Sequence, residues 1–330
     1  MRDPSSTLEL ADVQAQAPPL AIGLSRVGVT GVEKVIRLRQ HGTEQLFSAR
    51  LECFVDLGPE QKGAHMSRFE EVINEAVGEV VLGEAPFRSE TLAQRVAELV
   101  RERQGALRAE VTIAARYPEH KPAPISGTGT QEIYTLFGMA VANERGTRRV
   151  VGVAAQGLTA CPCAQQLVGA AARQRLLEDG FSDDEIDRIL DAVPVATHNQ
   201  RGLGTLHIGA TEGSPLEIDA GTLLAIVEDS MSSEIYELMK RVDEAAVVEK
   251  AHRRPRFVED CVREMIQGVV ARLPELPDDA LVSARQENLE TIHQHDVSAE
   301  RQGTLGEIRE ELATGIHSPR STTLREWLDA

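Results

Sequence analysis

No run of apolar residues in this 330-residue chain approaches the roughly 18–20 needed to cross a bilayer, so the sequence offers no helical membrane span. The opening residues, MRDPSSTLELADVQAQ, lack the basic-then-apolar order of a secretion signal and read as a short flexible tail. Cysteine is scarce: Cys53, Cys161, Cys163 and Cys261 are the whole set. Four thiols in so long a chain, without a signal segment, point to a reducing, cytoplasmic setting in which thiols serve metal binding or catalysis. Lysine is scarce too, confined to Lys34, Lys62, Lys121, Lys240 and Lys250, so the basic residues are nearly all arginine. Acidic residues outnumber basic ones by 52 to 35, a net charge of −17. That field repels phosphate backbones and anionic lipid, which argues against nucleic acid or a membrane as partner. An anionic ligand would need a local basic cluster.

Hydrophobic residues make up 42% of the chain, enough for a sizeable core, and the length favours two domains or a duplicated unit. VGVTGVEKVIRLRQ and LFSARLECFVDL read as two strands joined by a turn at HGTE. KGAHMSRFEEVINEAVGEVV starts a helix, with Ser67 as cap and Glu70 completing a capping box. A second helix, SETLAQRVAELVRERQ, carries Leu92, Val96 and Leu99/Val100 on one face. RAEVTIAARY and QEIYTLFGMAVANE follow as strands around the Pro/Gly-rich EHKPAPISGTG. The second half repeats the order less cleanly. RRVVGVAAQGLTA and GLGTLHIGA are strands flanking an acidic helical insert, Gln165 to Ala192, broken near Gly180. TLLAIVEDSMSSEIYELMKRV and RFVEDCVREMIQGVVARL read as helices, and DALVSARQENLETIHQHDVSAERQGTL as mostly extended. IHSPRSTTLREWLDA, with the only tryptophan, reads as a loosely docked tail. Strand runs with helices segregated between them indicate an α+β fold with antiparallel sheets, not an alternating doubly wound one.

Several residues are candidates for chemistry. Cys161, in QGLTACPCAQQ, ends an apolar strand just before a proline, where a metal ligand, a nucleophile or a small buried side chain are all compatible. No CxxC partner set accompanies it, which speaks against a structural zinc ribbon. Cys53 and Cys261 read as small buried hydrophobes. His198 stands in a polar T-H-N-Q-R run that neither a core strand nor a simple turn requires. His293 and His295, two residues apart, would share a strand face with Glu290 nearby. Lys62, His65 and Arg68, around a glycine and a helix start, form either a phosphate cradle or a solvated basic turn. Glu244 and Glu259 stand out because each lies beside apolar residues.

Taken in order, VGVTGVEK, FVDLGPEQKGAHMSRFEE, GLTACPCAQ, THNQRG, ELMKRVDE, RFVEDCVREM and ENLETIHQHD resemble the GTP cyclohydrolases of the type IB / type IV group, from about residue 24 to about residue 312. LPDDALV, IHQHDVSAERQGTLGEIREE and the helical insert are similar to the archaeal-type enzyme of methanopterin biosynthesis, GTP cyclohydrolase IV. The resemblance implies the tunnelling fold (T-fold), two β-β-α-α-β-β units per chain assembled into an oligomeric barrel, commonly a homotetramer. On that scheme residues 1–23 are a tail, 24–147 the first unit, 148–312 the second, and 313–330 a C-terminal tail. By motif it implies one divalent metal per subunit, Fe²⁺ first and Zn²⁺ or Mn²⁺ as alternatives, held by Cys161, His198, Glu244 and His293. Glu290 would join Cys161, His198 and His293 in the same catalytic site as a proton-transfer or auxiliary metal group. Glu259 would anchor guanine, and Lys62, His65 and Arg68 would meet the phosphates from a neighbouring subunit. The chain departs from the family pattern at VDE, where no proline precedes the acidic pair, and His65 fills a position that the family's KGxxMSR turn leaves variable.

The activity so implied is metal-dependent opening of the guanine imidazole ring of GTP at C8, formate release and pterin closure to 7,8-dihydroneopterin 2′,3′-cyclic phosphate. The type IB alternative keeps the chain as 7,8-dihydroneopterin triphosphate for folate biosynthesis. A non-catalytic purine- or pterin-binding T-fold protein is a further alternative. A Cys-x-Cys redox protein is the weakest reading, because no thioredoxin-like β-α-β context surrounds the pair.

Overall fold

A computed structural model describes residues 12–40, 43–82, 88–211 and 218–330. The first eleven residues of the expected tail and half of the HGTE turn lie outside them. The chain divides into two compact units, one of Met1–Ile113 with Met139–Arg148, the other of Ala114–Gly138 with Arg149–Ala330.

In the first unit β1 (Leu24–Gln40) and β2 (Thr43–Leu57) form a long antiparallel pair. Its alternation is legible in β2, where Phe47, Ala49, Leu51, Cys53 and Val55 are buried on one face. The register slips by one residue between Val29 and Val32, and Gly31 takes φ 67° there. This is a β-bulge at a backbone conformation that only glycine adopts without strain. Helices α1 (Met66–Leu82) and α2 (Ser89–Gln104) pack on each other and on these strands, burying Phe69, Ile73, Leu92, Val96 and Val100. The first helix begins at Met66, so Ser67 lies inside its first turn and His65 takes the position expected of Ser67. Helix α2 ends at Gly105, in the left-handed region at φ 65°.

The strands β3 (Ala109–Pro122), β4 (Gly129–Asn143) and β5 (Gly146–Ala160) follow. The second unit continues with α3 (Pro162–Glu178), α4 (Asp183–Ala192), β6 (Asn199–Ala210), α5 (Ala220–Ser230), the two-residue β7 (Ser233–Glu234), α6 (Arg241–Arg253), α7 (Val258–Arg272), β8 (Leu281–Leu289), β9 (Val297–Thr304), α8 (Leu305–Thr314) and α9 (Leu324–Asp329). Among the described residues the strands neighbour one another in the order β1-β2-β3-β4-β5-β6-β8-β9, with β7 on β5. The fold is therefore α+β with a large antiparallel sheet, as the sequence indicates.

Helices α5 and α7 pack together, and α7 lies on β8 and β9. The approach is close at Gly268, where a Cβ would stand 2.8 Å from Ile226 Cγ2. Two expectations need correction, and one segment left unread in the sequence takes shape. The helix read through TLLAIVEDSMSSEIYELMKRV stops at Ser230. Met231 is extended, Ser232 Oγ accepts the Ala160 N–H at 3.1 Å, and Ser233 pairs with Leu158, so sheet contacts replace helical ones. The segment after Thr304 is helical, its capping box formed by Thr304 and Glu307. The C-terminal segment is not loosely docked: Trp327 is 2% exposed, donates its indole N–H to the Asp279 carbonyl at 2.8 Å, and lies against Gly209.

Candidate active site

Strand β6 runs antiparallel to both β5 and β8, so the carboxyl ends of β5 and β8 lie beside the amino end of β6. Three chemistry-bearing residues stand one position beyond those ends: Cys161 after Ala160, His198 before Asn199, and Glu290 after Leu289. The Cys161 N–H donates to the His198 carbonyl at 3.1 Å, and Thr197 Oγ1 donates to the Cys161 carbonyl at 2.7 Å. Pro162, which has no N–H to continue the ladder, opens α3 and leaves Cys161 extended at its N-cap.

The amino end of α7 closes another side. Arg256 donates its backbone N–H to Ala160 at 2.9 Å, and its guanidinium reaches the Asp229 and Ser230 carbonyls at the end of α5, 2.8 and 2.6 Å away. It also pairs with Glu264 at 3.0 Å. One arginine thus ties the end of β5, the end of α5 and the first turns of α7, and Glu259 stands in the first of those turns.

The result is a cleft of about 250 Å³ whose lining includes Cys161, His198, Gln200, Arg256, Glu259, Asn288, Glu290, His293 and His295. Six residues singled out in the sequence for chemistry, namely Cys161, His198, Glu259, Glu290, His293 and His295, therefore meet in one place. The Glu290 side chain is only 7% exposed, and its buried Oε2 has no hydrogen-bond partner. The nearest cationic candidate is His198 Nδ1 at 3.7 Å, which also lies 3.1 Å from Gln200 Oε1. His293 and His295 do share a side, stacked at 5.1 Å and 15°, but on a loop instead of a strand. Strand β8 ends at Leu289, and the Glu290 N–H donates to Asp296 Oδ1 at 3.1 Å across the loop.

The other candidates fall elsewhere. Glu244 is exposed in the first turn of α6 and does not line the cleft. Its neighbour Asp243 is the buried carboxylate of VDE. Lys62, His65 and Arg68 belong to the first unit, at the amino end of α1. His65 Nε2 lies 3.3 Å from Asp12 Oδ2, and Arg68 donates to the Arg103 carbonyl at 2.9 Å, while Lys62 is exposed. Cys163 is exposed and outside the cleft lining. Cys53 and Cys261 are core residues, and burial pushes both thiols up to about 12.

Gln200, Asn288 and Arg256 are cleft residues that the motifs did not single out. Gln200 and Asn288 are buried amides on β6 and β8, and Gln286 donates to Asn288 Oδ1 at 3.0 Å. In the sequence such polar residues look like the solvent-facing half of strand alternation. Among the described residues no three His, Cys, Asp or Glu side chains are grouped so as to hold a metal ion.

Residues 10–299 match the family model described as type I GTP cyclohydrolase folE2, and the chain belongs to that family. Within it, the chain is similar to archaeal proteins named GTP cyclohydrolase MptA. It is 44% identical to that of Methanococcus aeolicus, over 91% of this chain and 99% of the relative. Identity to the Methanocaldococcus jannaschii protein is 42%, over 91% and 97%, and to the Haloarcula marismortui protein 41%, over 92% and 98%. The archaeal-type family read from the motifs is borne out. Among solved structures, uricase from Arthrobacter globiformis has a similar fold, at TM-score 0.50 and 8% identity over 93% of this chain and 99% of that one. At that identity the likeness is one of fold alone.

Proposed function

We propose that this chain is a metal-dependent GTP cyclohydrolase that opens the guanine imidazole ring at C8, releases formate, closes a pterin ring and cyclises the phosphate onto the ribose oxygens with loss of pyrophosphate, giving 7,8-dihydroneopterin 2′,3′-cyclic phosphate. The observation that carries the reading is the meeting of Cys161, His198, Glu259, Glu290 and His293 in one cleft, in a chain whose archaeal relatives bear the name GTP cyclohydrolase.

The donor chemistry fits a divalent ion. A thiolate, imidazoles and a carboxylate form a mixed set compatible with Fe²⁺, Zn²⁺ or Mn²⁺, and we assign Fe²⁺ first. Glu290 Oε2, buried without a hydrogen-bond partner, is an acceptor that a cation or a transferred proton would satisfy. Cys161, His198 and His293 line the cleft without being grouped around an ion, and would have to draw together to hold one. Glu244, the fourth donor the resemblance names, is exposed and outside this cleft, so it would serve a neighbouring copy. When bound, the ion would supply the Lewis acidity that makes water a usable nucleophile near neutral pH.

The chain's own residues supply the rest. Glu259 accepts hydrogen bonds from the N–H edge of guanine, its charge favoured by the amino end of α7. Glu290 takes a proton from the water that adds to C8 and returns one to the ring nitrogen as the ring opens to a formamide. A second hydration at the formyl carbon releases formate. Lys62, His65 and Arg68, at the helix start of α1, meet the triphosphate of a neighbouring subunit. The order of elements, two strands, two principal helices and two strands in each half, supports a T-fold, here assembled as a homotetrameric barrel acting in the cytoplasm.

The test is anaerobic incubation of the Fe²⁺-loaded protein with GTP, with formate measured and the pterin weighed by mass spectrometry. A cyclic monophosphate is expected. A triphosphate product would move the chain to the type IB reaction, GTP binding without formate would leave a purine-binding protein, and full activity after exhaustive chelation would remove the metal.

A further inference from the structure

We propose that Gln200 is a positioning residue that fixes the tautomer of His198, holding the proton on Nδ1 and leaving Nε2 as the lone pair offered to the cleft. The proposal rests on the reading of His198 as a metal-site residue.

A neutral imidazole has one N–H and one lone pair, so only one of its nitrogens can serve as a ligand or base. The surroundings of His198 Nδ1 decide which. Gln200 Oε1 lies 3.1 Å away and Glu290 Oε2 lies 3.7 Å away. An amide oxygen can only accept, so the closer contact favours a hydrogen on Nδ1.

Gln200 is well placed to enforce the choice. It is 4% exposed, on the second residue of β6, and lies opposite the fully buried Thr159 of β5. His198 and Gln200 are two positions apart at a strand edge, which puts both side chains on one face. The backbone of Gln200 is fixed by the sheet, so its amide is an acceptor at a set height. Glu290 extends from the end of β8 into a loop and lies beyond hydrogen-bond distance. The shorter, better anchored contact sets the tautomer, which leaves Glu290 free to move protons.

Two measurements on the full-length protein test this. The first is nitrogen-15 NMR of ring-labelled histidine in metal-free protein at pH 8, with His198 assigned by loss of its signals in His198→Ala. The wild type should show a protonated Nδ1 and an unprotonated Nε2, and Gln200→Leu should show a mixture. A wild type protonated on Nε2, or a Gln200→Leu variant still wholly protonated on Nδ1, overturns the proposal. The second is calorimetric titration with Co²⁺, together with its visible spectrum. Gln200→Leu should bind about 10–100-fold more weakly than wild type, with kcat lowered and KM for GTP little changed. Equal Co²⁺ affinity in the two proteins overturns the proposal. A wild type that binds no Co²⁺ overturns the metal reading instead, and the NMR result still judges Gln200.

Discussion

Asp243 and Ser126 are joined twice: the carboxylate accepts the Ser126 backbone N–H at 2.8 Å through one oxygen and the Ser126 hydroxyl at 2.7 Å through the other. The same buried side chain accepts from Ile125 N at 2.9 Å and Lys240 N at 2.9 Å. It thereby clamps the loop after β3 to the start of α6. Burial alone would raise its pKa, but the bonds from Ser126, Lys240 and Ile125 prevail and hold the carboxyl well below the usual aspartate range.

A carboxyl lowered in the folded state stabilises the protein above its unfolded pKa, and that contribution is lost as pH falls through the folded value. Asp243→Asn should therefore lower the urea midpoint at pH 7 and flatten its decline on acidification. An unchanged midpoint at pH 7 would show that the clamp is dispensable.

His207 should act at milder pH. Its ring sits beside Phe137 at 5.2 Å, over Gly152, and burial pushes the imidazole down to about 4. The unfolded chain takes up its proton near pH 6.5, so the folded state loses relative stability as pH falls from about 6.5 to about 4. Between pH 7 and pH 5 the loss should be about 2 kcal/mol. His207→Phe should remove most of it, as read by denaturant unfolding at the two pH values.

The C-terminal helix should contribute strongly to stability. Trp327 is buried and hydrogen-bonded, and a Cβ at Gly209 would stand 2.7 Å from its ring. Trp327→Ala should cost about 3–5 kcal/mol. A cost under about 1 kcal/mol in urea unfolding would return the segment to the status of a loose tail.

Cys161 and Cys163 should separate cleanly. Cys161→Ala and His198→Ala are expected to lower formate release by about 10²–10⁴-fold with unfolding midpoints near wild type. Cys163→Ala should retain activity. Equal losses at the two cysteines would revive a paired-thiol reading.

Glu244 should act across copies. Glu244→Gln and Cys161→Ala, each inactive alone, should regain part of the activity when unfolded together and co-refolded into mixed oligomers. Mixed oligomers that stay inactive would place Glu244 outside a shared site.

Much of this protein was determined by local sequence. Alternation in β2, the 3.6-residue spacing of Leu92, Val96 and Val100, and the break at Gly180 are set by neighbours along the chain, so their elements could be read directly. The motifs around Cys161, His198, Glu259, Glu290 and His293 likewise named those cleft residues and the family. What the sequence could not fix depends on partners distant along the chain. The stop at Ser230 comes from sheet contacts to Leu158 and Ala160, and the docking of Trp327 comes from Asp279 and Gly209. The exchange of burial between Asp243 and Glu244 is set by a loop more than a hundred residues earlier. Gln200, too, reads as ordinary strand alternation until antiparallel pairing sets β8 beside β6 and brings Glu290 within 3.7 Å of the same His198 nitrogen that Gln200 meets. Periodicity along a chain records which face is buried. Which polar groups meet on that face is decided only when non-local strands pair and their ends align.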